Sequence, residues 1–510
     1  MLRNIFDLDA HEAETFFYRS ESYYEGELPV YFDFKEMLLN INNFYKDDAS
    51  KIDSSNANSS DAANYIIYIN KNEKYTWRRY QLLNPVLYVD FITYITRDEN
   101  WQYIRSRVKN LHGACEGKII CASIPIAEKE YNKNIKANQI HEWWENVEQN
   151  SLKSSLEFSY VFTTDIADCY PSICTHAIAW ALHDENIVKE NQKTPLIGNV
   201  IDHKLRNMNC GQTNGIPLGP IVMAVMAEIL LASVDRELFN SLKKYEPLDY
   251  KIIRYRDDYK IFVNSKSDGE LIIRNLSEIL LKLNLKLNNS KTECFNDIIL
   301  GSLKKDKYRA IQYAIQFSTE NLQKKMIIIH SFLQEFPYSR QVCRWLSDIN
   351  DEILEKINSN KLYINECEVL IGICVQLVWN NLNLHAHFSL LLSSLISIFT
   401  EKKAISIIEK ISKRFSSQPH NTTFKLFLQR VALPYNYTKD FDDEVCKCVV
   451  NGLSDTGTQM NLWDFRWLNA PNEFKNMLLE QKFISKTKIK KLPKIVEKSE
   501  IDIFARKDYC

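Results

Sequence analysis

Three aspartates are the residues of this sequence best suited to carry chemistry. Asp257 and Asp258 stand side by side within Tyr250 to Val263, YKIIRYRDDYKIFV. Adjacent carboxylates repel, and proteins tolerate that crowding where cations neutralise it. β-rich runs flank Arg256-Asp257-Asp258, so the spacing predicts a hairpin with both acids at or beside its turn, although an ordinary solvated turn can carry the same string. The third, Asp165, closes the apolar run in YVFTTDIADCYPSI, Tyr160 to Ile173. A buried strand has no structural use for a charge there, and a bound metal gives it one.

Other elements must bring these acids together. Asn209 to Glu228 is a loop bearing Gly211, Gly215 and Gly219 that runs into a helix expected to reach about Leu242. Glycines at such a place let the backbone approach a nucleotide or template strand, or simply make a tight turn. A helical run from Gly269 to Leu283 follows the hairpin, and then the strand-like LKLNNSKTECF with Lys291. Strand, helices and glycine loop, hairpin, helix and strand is close to the split β-α-β-β-α-β pattern, an α+β arrangement in which the end of the first strand lies beside the hairpin turn. Asp165 then meets Asp257 and Asp258 in a two-magnesium site. Two ions about 3.5 to 4 Å apart activate an attacking 3′ hydroxyl and stabilise the departing pyrophosphate.

The rest of the chain bounds the reading. It has 510 residues, 45% hydrophobic and 12% aromatic, enough for several cores and incompatible with wholesale disorder. A net charge of −1 neither supports nor opposes a polyanionic partner. Twelve scattered cysteines, with no C-x-x-C pair recurring at a zinc-site interval, read as reduced thiols of a cytoplasmic protein. The start, MLRNIFDLDAHEAE, is acidic where a signal peptide is basic, and the apolar stretch Phe388 to Phe399 is too short to span a membrane. Residues 49–64 are expected to be an exposed polar loop, and beyond about residue 305 helical periodicity dominates. This gives an N-terminal segment over 1–64, a mixed domain over 65–305 and an α-helical C-terminal domain over 306–510. The seven lysines from Lys482 to Lys498 read as a solvated tail. His385 and His387 read as core or surface residues rather than metal ligands. Trp143, Trp144 and the aromatics from Tyr94 to Trp101 read as core builders before base-stacking platforms.

These motifs resemble those of the reverse transcriptases. Asp165 with Tyr170 matches the first palm motif, Gly215-Ile216-Pro217-Leu218-Gly219 the glycine motif, Tyr255 to Asp258 the Tyr-x-Asp-Asp hairpin and Lys291 the later lysine motif. The resemblance implies reverse-transcriptase-like fingers and palm followed by the helical domain. It implies a metal set of Asp165, Ile166, Asp257 and Asp258 holding two Mg2+ ions, with Mn2+ as a substitute. Tyr170 would lie beneath the incoming sugar and exclude a 2′ hydroxyl, Gly215, Pro217 and Gly219 would line the nucleotide site, and Lys291 would protonate the leaving pyrophosphate. Arg78 and Arg79 would contact triphosphate or nucleic acid, or form surface salt bridges. Leu218 and Met223 stand where the family usually has glutamine and serine, which puts ordinary template reading in doubt.

Leu28 to Phe34, Trp77 to Tyr80 and Asn84 to Tyr88 look like the N-terminal segments of bacterial abortive-infection and other defence-associated members. That group implies anti-phage DNA synthesis from deoxynucleoside triphosphates, in some members without template and primed from the protein, so that the DNA product is covalently attached. It also implies homo-oligomers, while the short apolar stretch leaves no membrane partner expected. Copying of an RNA template competes with template-free extension. A ribonucleotide polymerase fits Tyr170 poorly, and a non-catalytic nucleic-acid-binding scaffold has no reason to keep three crowded carboxylates.

Overall fold

The computed structural model describes residues 3–48, 52–60, 63–71, 76–127, 144–191, 194–318, 320–439, 441–454 and 458–501. Their strands, in chain order, are β1 (Arg3–Asn4), β2 (Tyr65–Asn70), β3 (Trp77–Leu82), β4 (Ile119–Cys121), β5 (Ile126–Ala127), β6 (Tyr160–Asp165), β7 (Tyr250–Tyr255), β8 (Asp258–Val263) and β9 (Glu293–Phe295). The central sheet has the order β4-β7-β8-β6-β9, with β4 parallel to β7 and the other pairings antiparallel. Four of these strands reproduce the expected split pattern. The fifth, β4, was not anticipated, because three residues are too short to show a period.

Two helices cover the sheet. Ile221–Leu242 is buried along most of its length, which explains an apolar sequence with little amphipathic contrast. Lys266–Lys282 is amphipathic, buries Ile272, Leu276, Ile279 and Leu280, and starts where the Ser265 side chain accepts from the Asp268 N–H at 3.2 Å. Gly269 lets this helix seat on the sheet, since a Cβ there would lie 2.0 Å from the Phe162 ring.

β2 and β3 form a separate antiparallel ribbon, with Tyr65 opposite Leu82 and Asn70 opposite Trp77. The N-terminal segment opens on a capping box, Asp9 with Glu12, and packs Phe6 and Phe17 around Trp101, which is fully buried. Trp101 is thus a core residue. Trp144 is exposed, and Trp143 lies outside the described residues. From Lys305–Phe317 onward the structure is helical, around a central helix His385–Ile396 that is buried at every residue, His385 and His387 included. Among the described residues no helix is long and apolar enough to cross a membrane.

Two expectations need correction. The polar stretch around residues 52–60 is docked: Ala57 is buried, Asp53 bridges to Asn469, and the Ser60 hydroxyl donates to Asp464 at 2.8 Å. The lysine-rich stretch is docked too. Ile489 and Val496 are buried, while Lys488 pairs with Asp33 at 3.0 Å and Lys494 with Glu401 at 2.8 Å. In both cases small or apolar residues are buried between polar ones that pair with distant partners.

Replacing Gly269 by Ala is expected to destabilise the protein. Overpacking against Phe162 costs about 1–3 kcal/mol, which exceeds the helix-propensity gain of up to about 1 kcal/mol. A lowered urea midpoint with unchanged slope is the result to look for.

Candidate active site

Pairing of β6 with β8 sets Asp165 directly opposite Asp258, and pairing of β7 with β8 sets Tyr255 opposite Asp258, leaving Arg256 and Asp257 as a two-residue turn. Arg256 adopts the left-handed conformation with φ 54° that such a turn requires. The Ile166 N–H donates to the Asp257 carbonyl at 3.1 Å, which fastens the turn to the end of β6 and brings Ile166 into the site. The three aspartates that the sequence singles out therefore share one place. Lys291 joins them from a short 3-10 turn ahead of β9, rather than from a strand, and its Nζ donates to Asp165 Oδ2.

The electrostatics of the group call for cations. Asp165 is 5% exposed, and its Oδ1 is buried with no hydrogen-bond partner. Burial raises Asp257, and the neighbouring Asp165 adds to the rise. Asp258 keeps an exposed edge, yet the protein crowded around it and then the charge of Asp257 push it up to about 6. Burial alone would lower Lys291, but its bond to Asp165 raises it, so it stays charged. Arg256 and Lys291 pull Asp257 down, and Lys304 and Lys291 pull Asp258 down, yet burial and the neighbouring carboxylates leave both raised. An orphaned Asp165 oxygen, with Asp258 opposite it across the strands and Asp257 on the adjoining turn, suits divalent metal ions, which these three carboxylates would hold.

Beneath the turn lies a feature that the sequence analysis missed. Arg254, on β7, is fully buried. It reaches Glu228 through two bonds, at 3.0 and 2.5 Å, Asp235 at 2.7 Å, and the Arg256 carbonyl at 3.1 Å. The Tyr259 hydroxyl donates to Asp235 at 3.2 Å, and the Ser123 hydroxyl to Glu228 at 3.1 Å. Burial would raise Glu228, but the guanidinium fork and His112 hold it below the usual carboxylate range. Burial raises Asp235, and the charge of Glu228 adds to the rise against the pull of Arg254. A signal was present: Glu228 and Asp235 fall seven apart in an apolar helix, and Arg254 sits in an apolar strand, the same misplaced charge that marked Asp165. His112, Cys121 and Glu228 also form a trio of metal-ligand types within 4.8 Å of one another. Arg254 already engages both Glu228 oxygens there, and its charge opposes a metal.

The glycine segment packs against protein on both sides. Gly215 (φ 88°) donates its N–H to the Ile173 carbonyl, and Ile216 donates to the Tyr170 carbonyl. Gly219 (φ 140°) lies where a Cβ would meet the Gln81 carbonyl at 2.7 Å. Gln81 donates to the Leu218 carbonyl, and Glu25 to the Gly219 carbonyl. The close approach that these glycines permit is thus to β3 and to the Tyr170 turn. Pro217 is buried, Leu218 half-buried, and Met223 fully buried in the core. Packing accounts for the apolar residue at 223. Tyr170 is half-buried, with Arg256, Glu25 and Asp257 as electrostatic neighbours.

Arg78 and Arg79 are both exposed, but consecutive strand residues face opposite sides. They cannot grip one phosphate together. Arg78 shares the face of Tyr80, whose ring lies 6.3 Å from Tyr24, and Tyr24 adjoins Glu25, which pairs with Arg256 at 3.5 Å. Arg79 shares the face of Tyr68 and Trp77. A cavity of about 210 Å³ opens beside the turn, lined by Asn4, Glu25, Cys121, Ser123, Tyr255 and Arg256. It is smaller than the roughly 300 Å³ at which ligand pockets begin.

Comparison with known proteins agrees with this geometry. Residues 120–317, well under half of the chain, match the family model described as reverse transcriptase (RNA-dependent DNA polymerase). The match makes that region a reverse transcriptase domain, and the protein is a nucleotidyltransferase of that type, a class that works with divalent metal ions. No curated protein matches the chain. Similar solved structures include telomerase from Candida albicans in complex with a TWJ fragment of telomeric RNA, at 14% identity over 74% of this chain and 71% of that one, TM-score 0.31. Apo telomerase from Candida tropicalis is 12% identical over 80% and 69%, TM-score 0.32. Its form truncated from the C-terminal domain is 14% identical over 52% and 56%, TM-score 0.31. Likenesses at this level carry no functional weight.

Replacing Glu228 by Gln leaves Arg254 short of a counter-charge and is expected to cost about 3–5 kcal/mol, read from urea midpoints near pH 7. Glu228 is held below its ordinary value of 4.5, so its contribution is present above that value and fades as pH falls toward the folded-state value. The stability gap between wild type and Glu228→Gln should therefore narrow at about pH 3.

Proposed function

We propose that this protein is a DNA polymerase that adds deoxynucleotides at Asp165, Asp257 and Asp258 with two Mg2+ ions, Mn2+ substituting. The observation that carries the reading is the cross-strand opposition of Asp165 and Asp258 beside the Asp257 turn, with an Asp165 oxygen buried and unpartnered. Bound magnesium would activate the 3′ hydroxyl and stabilise the departing pyrophosphate. Asp165, Asp257 and Asp258, with the Ile166 backbone, hold the ions. Lys291 is charged and in contact with Asp165, where it can pass a proton to the leaving pyrophosphate. Tyr170 closes the sugar side against a 2′ hydroxyl, while Arg78, not Arg79, shares the ribbon face turned toward the catalytic turn and takes the triphosphate.

The biological setting we infer is cytoplasmic anti-phage defence of the abortive-infection kind, by a homo-oligomer built as N-terminal segment 1–64, fingers and palm 65–305 and helical domain 306–510. The segments Leu28 to Phe34, Trp77 to Tyr80 and Asn84 to Tyr88 support it. Template-free, protein-primed synthesis, with the DNA attached to the chain, follows from the resemblance to that group; of the two departures that tilt against templated copying, Leu218 remains once Met223 is seen to be a core residue. RNA-templated copying is the second reading, favoured by the description of the matched family.

Purified protein incubated with magnesium and labelled deoxynucleotides, without template, should yield a protein-linked, DNase-sensitive product that Asp257→Ala abolishes. Product only when RNA and primer are added would establish the second reading, and activity surviving in Asp257→Ala would sink both. Tyr170→Val should raise ribonucleotide over deoxynucleotide use by about tenfold or more, since the loss of a steric contact is worth roughly 1–3 kcal/mol of discrimination. Competition between labelled dNTP and NTP measures it.

A further inference from the structure

The β2–β3 ribbon is gripped along both edges. On the β3 side, Tyr80 bridges to Leu218 in parallel register and Gln81 donates to the Leu218 carbonyl at 2.7 Å, which ties the ribbon to the glycine segment. On the β2 side it rests on helix Thr422–Ala432 and the turn Leu382–Leu384. Tyr65 donates to Asp443 at 3.0 Å and the Asn383 side chain to the Asn70 carbonyl at 3.1 Å, while at the end of β3 the Trp463 indole donates to the Leu82 carbonyl at 3.0 Å. Asp443 is itself fixed, since Thr422 donates to its other oxygen at 2.7 Å.

His420 adds a different kind of contact. It occupies the turn between helices Glu401–Phe415 and Thr422–Ala432 with a left-handed backbone, φ 56°. Its ring lies 4.4 Å from that of Tyr68 and 4.9 Å from that of Trp77, centroid to centroid. Tyr68 and Trp77 lie on one ribbon face, as diagonal neighbours across the two strands. All three residues are exposed, so core packing does not explain the cluster. An isolated two-stranded ribbon is marginal in water and takes its position from what holds it. A left-handed conformation in a residue other than glycine persists where its surroundings over-determine it.

We propose that His420, assisted by Asp443, is a positioning residue that holds the ribbon at a fixed distance from the catalytic turn, so that the helical region presets the wall presenting Arg78 to the incoming nucleotide. The inference rests on the polymerase reading above. With both edges fastened, the described strands of the ribbon are held in place and the nucleotide meets a preformed wall.

Steady-state kinetics with hydrogen–deuterium exchange on the full chain test this. His420→Ala should raise the KM for deoxynucleotide by about three- to tenfold, the equivalent of losing aromatic pairs worth roughly 0.5–1.5 kcal/mol, with kcat within about twofold of wild type. Amides of residues 65–70 and 77–82 should exchange faster while those of 250–263 do not change. His420→Phe should restore both readouts, which a general loss of stability would not do. Unchanged KM and unchanged ribbon exchange in His420→Ala, or a Phe variant no better than the Ala variant, would overturn the proposal. Absence of incorporation by wild type defeats the polymerase reading instead, and the exchange data still decide whether His420 holds the ribbon.

Discussion

The catalytic turn depends on one buried cation. Arg254 sits with no exposed surface between Glu228, Asp235 and the Arg256 carbonyl. A guanidinium taken out of water costs several kcal/mol unless every donor is matched, and here two carboxylates and a carbonyl match it. Arg256 and Asp257, which have unusual backbone and crowded charge, are thereby fixed from below by Arg254 and from the side by the Ile166 N–H. The acidic partners both lie on helix Ile221–Leu242, which begins directly after the glycine segment. The aspartate-bearing turn and the segment that lines the ribbon are thus attached to one rigid rod, and their spacing is set by helix geometry.

Parts of the chain outside the matched family region complete this frame. Glu25 binds the Gly219 carbonyl through its N–H and Arg256 through its carboxylate. Two residues on, Glu27 pairs with Arg340 at 2.5 Å and lies 3.0 Å from His385, both in the helical region. A few N-terminal residues therefore touch the glycine segment, the catalytic turn and the C-terminal helices together. Glu25 also pairs with the Arg256 guanidinium at 3.5 Å, which draws that charge away from the neighbouring aspartates.

Much of the palm was legible because its signals are local. Asp165 and the Asp257-Asp258 pair each interrupt an apolar strand, and the alternation of strand and helix between them fixes the sheet order that makes Asp165 and Asp258 partners. What escaped was short or distant. β4 has three residues, too few for a pattern. Arg254, Glu228 and Asp235 each look like a stray charge until the sheet brings them together. The docking of Ser60 and Lys488 depends on partners 404 and 455 residues away, which no local pattern reveals. Arg78 and Arg79 looked like a pair because they are adjacent, yet adjacency in a strand is what separates them. Met223 looked like a lost template contact and is a core side chain.

The last of these long-range contacts bears on how the molecule comes to exist. Tyr31 accepts from the Ser485 N–H, Phe34 stacks on Phe483, and Asp33 pairs with Lys488, so the segment holding Glu25 and Glu27 is anchored by residues made some 455 positions later. At ~5–20 residues per second, translation separates the two by roughly 20 to 90 s. During that interval the palm can fold on the ribosome, but the N-terminal strap that steadies its turn cannot be fastened. A chain stopped short of residues 483–488 therefore holds the aspartates without the contacts that anchor the segment carrying Glu25 beside Arg256.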